Sequence, residues 1–353
     1  MNLSISTNQK KYKVIFDLNL EKNLHKYLHS LDFYNNYVLI YPSSVSKYAE
    51  NIFNCLENKE FKVKKIQVED GENYKNLDNL EEILDKLYRI KCNKNTTLIC
   101  VGGGSIGDII GFVSSIYMRG IKYINIPTTL LSMVDSSIGG KSAINFKGVK
   151  NLIGSIYQPE LVLINPNYIK TLNQKEIRSG FGEIIKYGLI FNPKILDKLY
   201  KNISCFIQFN DMNIVTNIIY DCCVSKKYFI ELDEFDSHER NKLNFGHTLG
   251  HVIENKYQYK DITHGQAILN GMYLAIQLSF NKNILPKDEY KKISKYLDLF
   301  KIKNEFKLIL EDLDKLLYDK KSKNGNIRFI LLKGIGQPVV FDDITQNEIK
   351  GII

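Results

Sequence analysis

No apolar run in this chain approaches the roughly 18 residues a membrane-crossing helix needs, and Met1-Asn-Leu-Ser-Ile-Ser6 has no basic stretch leading into an apolar block. The expectation is a cytoplasmic protein with no membrane partner. Cysteine is also sparse. Cys55, Cys92, Cys100, Cys205, Cys222 and Cys223 form no CxxC pair and no regular spacing, so they read as reduced thiols rather than a disulfide framework. Arginine is scarcer still. Of 48 basic residues, five are arginine: Arg89, Arg119, Arg178, Arg240 and Arg328. The lysines are scattered rather than blocked, and no nucleic-acid-binding motif lies among them. The net charge of +9 therefore reads as a solvated lysine surface, part of which can serve an anionic small substrate. Where lysine is the common cation, an arginine marks a place needing a planar fork for carboxylate or phosphate.

With 353 residues, two domains are the natural expectation. Lys13–Phe16, Tyr37–Tyr41, Phe61–Val68, Thr96–Val101 and Tyr123–Ile126 read as strands, and 45–56 and 77–90 have helical periodicity. This alternation predicts a Rossmann-like, doubly wound α/β domain over residues 1–172. The apolar strand ending at Val101 runs into Gly102-Gly-Gly-Ser-Ile-Gly-Asp108, with a helix expected over 109–117. Glycines between a strand and a helix N-terminus suit a phosphate, although the spacing is not GxGxxG. Glu72, in Gly71-Glu-Asn-Tyr-Lys75, lies where a carboxylate can meet ribose hydroxyls or simply open a helix. The stretch 127–145, with Gly148–Gly154, reads as an ordered polar loop anchored by Leu130, Leu131, Val134, Ile138, Ile144 and Leu152.

From residue 173 to 353 the pattern is mostly helical, over 174–190, 194–209, 214–232, 245–256 and 265–281, with a strand at Ile327–Leu332. Three of the six histidines fall in Asn244-Phe-Gly-His-Thr-Leu-Gly-His251 and at His264. His247 and His251 share a helix face by spacing, which suggests a divalent metal. His25 and His29 have the same spacing on what reads as an exposed amphipathic helix, so spacing alone is weak. Glu183 and Lys186 share another helix face, either as an internal ion pair or on a closely packed helix flanked by Gly182 and Gly188.

Taken together, Gly102–Phe112, Met118-Arg-Gly120, Pro127-Thr-Thr-Leu-Leu131, Val134–Lys141, Lys150-Asn-Leu-Ile-Gly154, Phe181–Gly188, Leu243–His251, His264-Gly-Gln-Ala267 and Asp319-Lys-Lys321 resemble the 3-dehydroquinate synthase family, in order and across the chain. The resemblance implies Glu183, His247 and His264 as ligands of zinc, with cobalt as a substitute. It moves His251 off the metal to substrate contact and proton transfer. It implies substrate binding by Arg119, Lys141, Lys186, Lys226, Arg240 and Asn244, a site role for Asp135, and a reach into the site by Lys320 or Lys321. For NAD it implies Glu72, Lys75, Gly103, Gly104, Asp108, Thr128, Thr129, Lys141, Lys150, Asn151 and Thr171, with Tyr168 as an adenine contact where Phe is usual. Arg119 is expected to serve the partner's site in a homodimer. Gln266 stands where the family usually has Glu, which raises the question of a changed hydrogen bond to a metal ligand.

The implied reaction converts a phosphorylated sugar acid, 3-deoxy-D-arabino-heptulosonate 7-phosphate, to 3-dehydroquinate and phosphate. It does so by transient oxidation, β-elimination, re-reduction, ring opening and aldol closure. Competing readings are another sugar phosphate cyclase, a metal-dependent polyol or glycerol-phosphate dehydrogenase, and a non-catalytic metal- or nucleotide-binding protein. The pairing of Arg240 with Asn244 favours the carboxylate-bearing substrate.

Overall fold

In a computed structural model, residues 1–31, 33, 35–257, 262–309, 311–313 and 327–353 are described. The chain divides into two compact units, Met1–Leu172 and Asn173–Ile353.

The first unit follows the alternation of its sequence: β1 (Asn2–Ser6), β2 (Lys11–Phe16), α1 (Leu20–His29), β3 (Tyr37–Pro42), α2 (Ser46–Glu57), β4 (Val63–Val68), α3 (Leu77–Arg89), β5 (Thr97–Gly102), α4 (Gly104–Ile116), β6 (Lys122–Pro127), β7 (Lys141–Phe146), β8 (Val149–Ile156) and β9 (Leu161–Ile164). Seven strands form one sheet in the order β1-β2-β9-β6-β5-β3-β4. All its pairings are parallel except β1 with β2. Every residue of β3, β5 and β9 is buried, as expected of strands covered on both faces. Leu80, Ile83 and Leu87 of α3 and Ile106, Ile109, Ile110 and Val113 of α4 pack into one core with Val38, Ile40, Leu98 and Cys100.

Two local features differ from the sequence reading. Helix α4 begins at Gly104 rather than near Ile109. Glycine is a poor helix former in isolation, but here close packing requires it: a Cβ on Gly104 would lie 2.9 Å from Ser136 Oγ, and one on Gly103 3.0 Å from Thr129 Cγ2. The stretch read as a polar loop instead contains a turn of π-helix, Ser132–Ser136, and the antiparallel hairpin β7–β8. Phe146 pairs with Val149, so Lys147 and Gly148 alone form the turn. Both have positive φ, 48° and 79°, the signature of a type I′ turn.

The second unit is mostly helical: α5 (Gln174–Ile190), α6 (Pro193–Gln208), α7 (Met212–Leu232), α8 (His247–Lys256), α9 (His264–Asn281), α10 (Lys287–Leu299) and α11 (Gln346–Lys350), with a two-stranded sheet of β10 (Ile327–Leu332) and β11 (Pro338–Ile344). Helices α5, α7 and α9 start at side-chain caps. Asn173 accepts from Glu176 N, Asp211 from Asn213 N and Ile214 N, and Thr263 from Gln266 N. The expected helix over 245–256 starts later. Gly246 has φ +79° and separates a 3₁₀ segment, Glu239–Asn244, from α8. A Cβ on Gly246 would meet Met272 Cγ at 2.4 Å, and one on Gly271 would meet Gly246 O at 2.0 Å. Glycines thus let α8 and α9 lie close together.

Candidate functional site

The first unit gathers a polar network at the carboxyl ends of β4 and β5. Glu72 lies in the 3₁₀ turn Glu72–Tyr74. Its Oε2 accepts from Ser105 Oγ at 2.5 Å and its Oε1 from Asn145 Nδ2 at 2.9 Å. Lys75 is 3% exposed and donates to Asp108, on the second turn of α4, and to Asn151. Asn145 closes the ring, receiving Asn151 N at 3.0 Å and donating its own N–H to Lys75 O at 2.8 Å. Burial pushes the Glu72 carboxyl up, but Lys75, the bonds from Ser105 and Asn145, and Lys150 outweigh it and hold the group below its ordinary value. Glu72 is therefore an ionised acceptor.

Gly103 caps α4 and Gly104 opens it, which brings bare backbone N–H groups to the end of β5. Thr128 N donates to Gly102 O at 2.9 Å, and Thr129 forms a side-chain turn with Ser132. Asp135 lies in the π-helical turn, Lys141 is exposed at the start of β7, and Lys150 lies on β8. Thr171 joins a different cluster: its Oγ1 donates to Tyr168 O at 2.9 Å and lies 3.0 Å from Tyr48 OH. Tyr168 is 1% exposed, with the Tyr48 ring 4.1 Å away, so its ring is covered by this chain's own tyrosine. Arg119 is exposed in a turn where Met118, Arg119 and Gly120 all have positive φ, 48°, 62° and 106°. Such backbone is uncommon outside glycine and concentrates at functional sites. Ser105 and Asn145 went unassigned in the sequence reading, because a serine and an asparagine in a glycine-rich stretch look like ordinary turn residues.

In the second unit, α5, α8 and α9 converge on Glu183. Its Oε1 lies 3.5 Å from His247 Nε2 and 3.3 Å from His264 Nε2. One ligand atom from each of the three residues lies within 4.8 Å of the others. Zinc bonds of about 2.0–2.1 Å in tetrahedral geometry place ligand atoms about 3.3 Å apart. The two distances from Glu183 Oε1 fit that spacing, and one carboxylate with two imidazoles suits zinc or cobalt. Lys186, 2% exposed, pairs with Glu183 one turn away. His247 Nδ1 faces Phe245 O at 3.1 Å, leaving Nε2 for the cluster. Desolvation, then Lys186, pushes the His247 imidazole well below its ordinary pKa. For His264 desolvation also pulls downward, but Glu183 and Glu254 prevail and raise it to about 9.

Arg240 is 2% exposed in the 3₁₀ segment and donates Nη1–H to Glu234 O at 2.7 Å. Asn244 ends that segment, and Lys226, 5% exposed, lies on α7. His251 lies beside the trio with 53% of its side chain exposed, and its ring meets that of His247 edge-on at 5.4 Å. Lys320 and Lys321 lie outside the described residues. Gln266 has a role the sequence reading did not anticipate. Its Oε1 accepts from Thr263 N at 3.0 Å and Oγ1 at 2.9 Å, completing the capping box of α9. The carboxylate beside His264 Nδ1 is instead Glu254, at 3.4 Å.

These features define a two-unit α/β protein with a glycine-opened helix in one half and, in the other, a Glu–His–His group spaced to hold a metal ion. The same fold occurs in 2-epi-5-epi-valiolone synthase from Streptomyces hygroscopicus subsp. jinggangensis 5008, solved with NAD+ and Zn2+ bound. That structure is 24% identical with TM-score 0.87 and covers 97% of this chain and 95% of its own. The fold also occurs in a 2-deoxy-scyllo-inosose synthase complexed with carbaglucose-6-phosphate, NAD+ and Co2+, which is 23% identical with TM-score 0.83 and covers 100% and 99%. The family models for the 3-dehydroquinate synthase N-terminal and C-terminal regions match residues 65–179 and 180–322. The 3-dehydroquinate synthase of Clostridium tetani (strain Massachusetts / E88) is 39% identical over 345 residues, covering 96% of this chain and 91% of that protein. The chain belongs to the 3-dehydroquinate synthase family.

Proposed function

We propose that this chain is a 3-dehydroquinate synthase, a carbon–oxygen lyase of the shikimate route to aromatic amino acids. It acts on 3-deoxy-D-arabino-heptulosonate 7-phosphate in the cytoplasm, as a homodimer. The observation that carries the chemistry is the Glu183–His247–His264 set, spaced for a tetrahedral cation and flanked by buried Lys186. When bound, zinc or cobalt on Glu183, His247 and His264 would supply Lewis acidity and NAD would supply reversible hydride transfer with no net redox change.

The chain's own residues do the rest. Glu72, Lys75, Asp108, Thr128, Thr129, Lys141, Lys150, Asn151 and Thr171, with the backbone of Gly103 and Gly104, hold the dinucleotide. Lys186, Lys226, Arg240 and Asn244 bind the anionic substrate with Lys141, Asp135 and the partner protomer's Arg119. Lys320 joins them. Buried cations favour the departing phosphate dianion, because charge developing in a dry site meets preorganised donors. His251, exposed beside the cluster, moves protons to and from the substrate. The exposed apolar Ile116 and Met118 beside Arg119 suit an interface.

The test is incubation of the purified protein with the heptulosonate phosphate, catalytic NAD and zinc. Stoichiometric phosphate release without NADH accumulation is expected. Steady NADH production would instead indicate a dehydrogenase.

A further inference from the structure

The two histidines of the candidate metal set are each held on the side facing away from Glu183. For His247 the holder is a backbone carbonyl, Phe245 O. For His264 it is a carboxylate: Glu254 Oε1 lies 3.4 Å from Nδ1 while Nε2 points to Glu183. Glu254 is 3% exposed on α8, and its second oxygen, Oε2, lies 4.0 Å from His251 Nε2. Burying a carboxylate is expensive unless it is paired, and this one faces two imidazoles with two different assignments.

We infer that Glu254 is a positioning residue, which accepts the Nδ1–H of His264 so that Nε2 is directed at the metal. This rests on the metal reading proposed above. A carboxylate behind a ligating histidine fixes its tautomer and ring orientation, and losing such a partner typically weakens metal binding about 10- to 100-fold. His251, Glu254 and His264 also offer ligand atoms within 4.8 Å of one another. A cation there would have to displace the proton that His264 shares with Glu254, and would leave His264 bridging two ions. The positioning role needs no such rearrangement.

The experiment is Co2+ binding to the full-length, metal-stripped protein, read by competition with a chromophoric chelator and by the visible Co2+ absorption. Wild type is expected to bind one Co2+ per chain. Glu254→Ala should bind about 10- to 100-fold more weakly with an altered cobalt spectrum. Glu254→Gln, whose amide oxygen still accepts from Nδ1–H, should stay within about threefold of wild type. Far-ultraviolet circular dichroism of the metal-free variants checks that they fold. Unchanged affinity and spectrum in Glu254→Ala would overturn the inference, as would a glutamine variant no better than alanine. Two cobalt ions in wild type and one in Glu254→Ala would make Glu254 a ligand and also overturn it. Failure of wild type itself to bind Co2+ would sink the metal reading instead.

Discussion

His25 and His29 repeat the spacing of His247 and His251, and the contrast isolates what fits a histidine to hold a metal. His25 Nδ1 lies 3.9 Å from Cys55 Sγ, and the His29 ring packs at 4.8 Å on Phe61. Neither belongs to a metal-competent group among the described residues. His247 differs because helices distant in sequence bring it Glu183 and His264, and because desolvation and Lys186 keep its imidazole neutral, with a lone pair to donate. His251 shares its helix but has 53% of its side chain exposed, against 12% for His247. His247→Ala should therefore abolish Zn2+ binding in equilibrium dialysis, whereas His251→Ala should retain it and lose turnover. Equal metal loss in both would refute the division. The trio was legible through the family's motifs. Spacing alone pairs His247 with His251, since a helical repeat says which residues share a face and nothing about what lies opposite.

At the scale of elements, the segment from Asp233 to Gly246 shows how local chemistry places a buried cation. Asp233 accepts backbone N–H groups from Ser237 at 3.0 Å, His238 at 2.7 Å and Arg240 at 3.1 Å. Burial pushes its carboxyl upward, but these bonds prevail and take it from 3.8 to about 2. A carboxyl depressed on folding stabilises the native state above its unfolded pKa, and that contribution disappears as pH falls through the folded value. Allowing for partial exposure, Asp233→Ala should cost about 1–2 kcal/mol at pH 7. The gap from wild type should shrink between about pH 4 and pH 2 in urea unfolding. A gap constant with pH would mean that the carboxylate is not what holds the turn. Many helix and strand positions in both units were readable from periodicity, but β1, β9, α10 and β11 were not among those read. The break at Gly246 was not, because its cause is Met272 and Ile268 on another helix. The β7–β8 hairpin did leave a signal, a two-residue Lys147-Gly148 turn between segments holding buried Ile144 and half-buried Ile153, but glycine and serine density disguised it as loop.

For the whole molecule, the consequence lies in assembly. If Arg119 serves the partner's site, Arg119→Ala and His247→Ala are each inactive as homodimers. A heterodimer of the two has one site with an intact His247 and an intact Arg119. Co-refolding equal amounts should restore about a quarter of wild-type activity, because about half the dimers are mixed and each has one complete site of two. No recovery despite mixed dimers, seen by native mass spectrometry, would place Arg119 in its own chain's site, and an active Arg119→Ala homodimer would place it outside any site.

The amino-acid sequence by itself determined the α/β and helical halves, the family, and the residues to examine, because periodicity and motif order survive in one dimension. Only the tertiary structure decided that Glu254 stands behind His264 and that Gln266 caps a helix. In sequence both are ordinary polar residues near a motif. Which group a polar side chain meets depends on helices brought together by packing, and that proximity is set by buried apolar faces and by glycines that admit close approach.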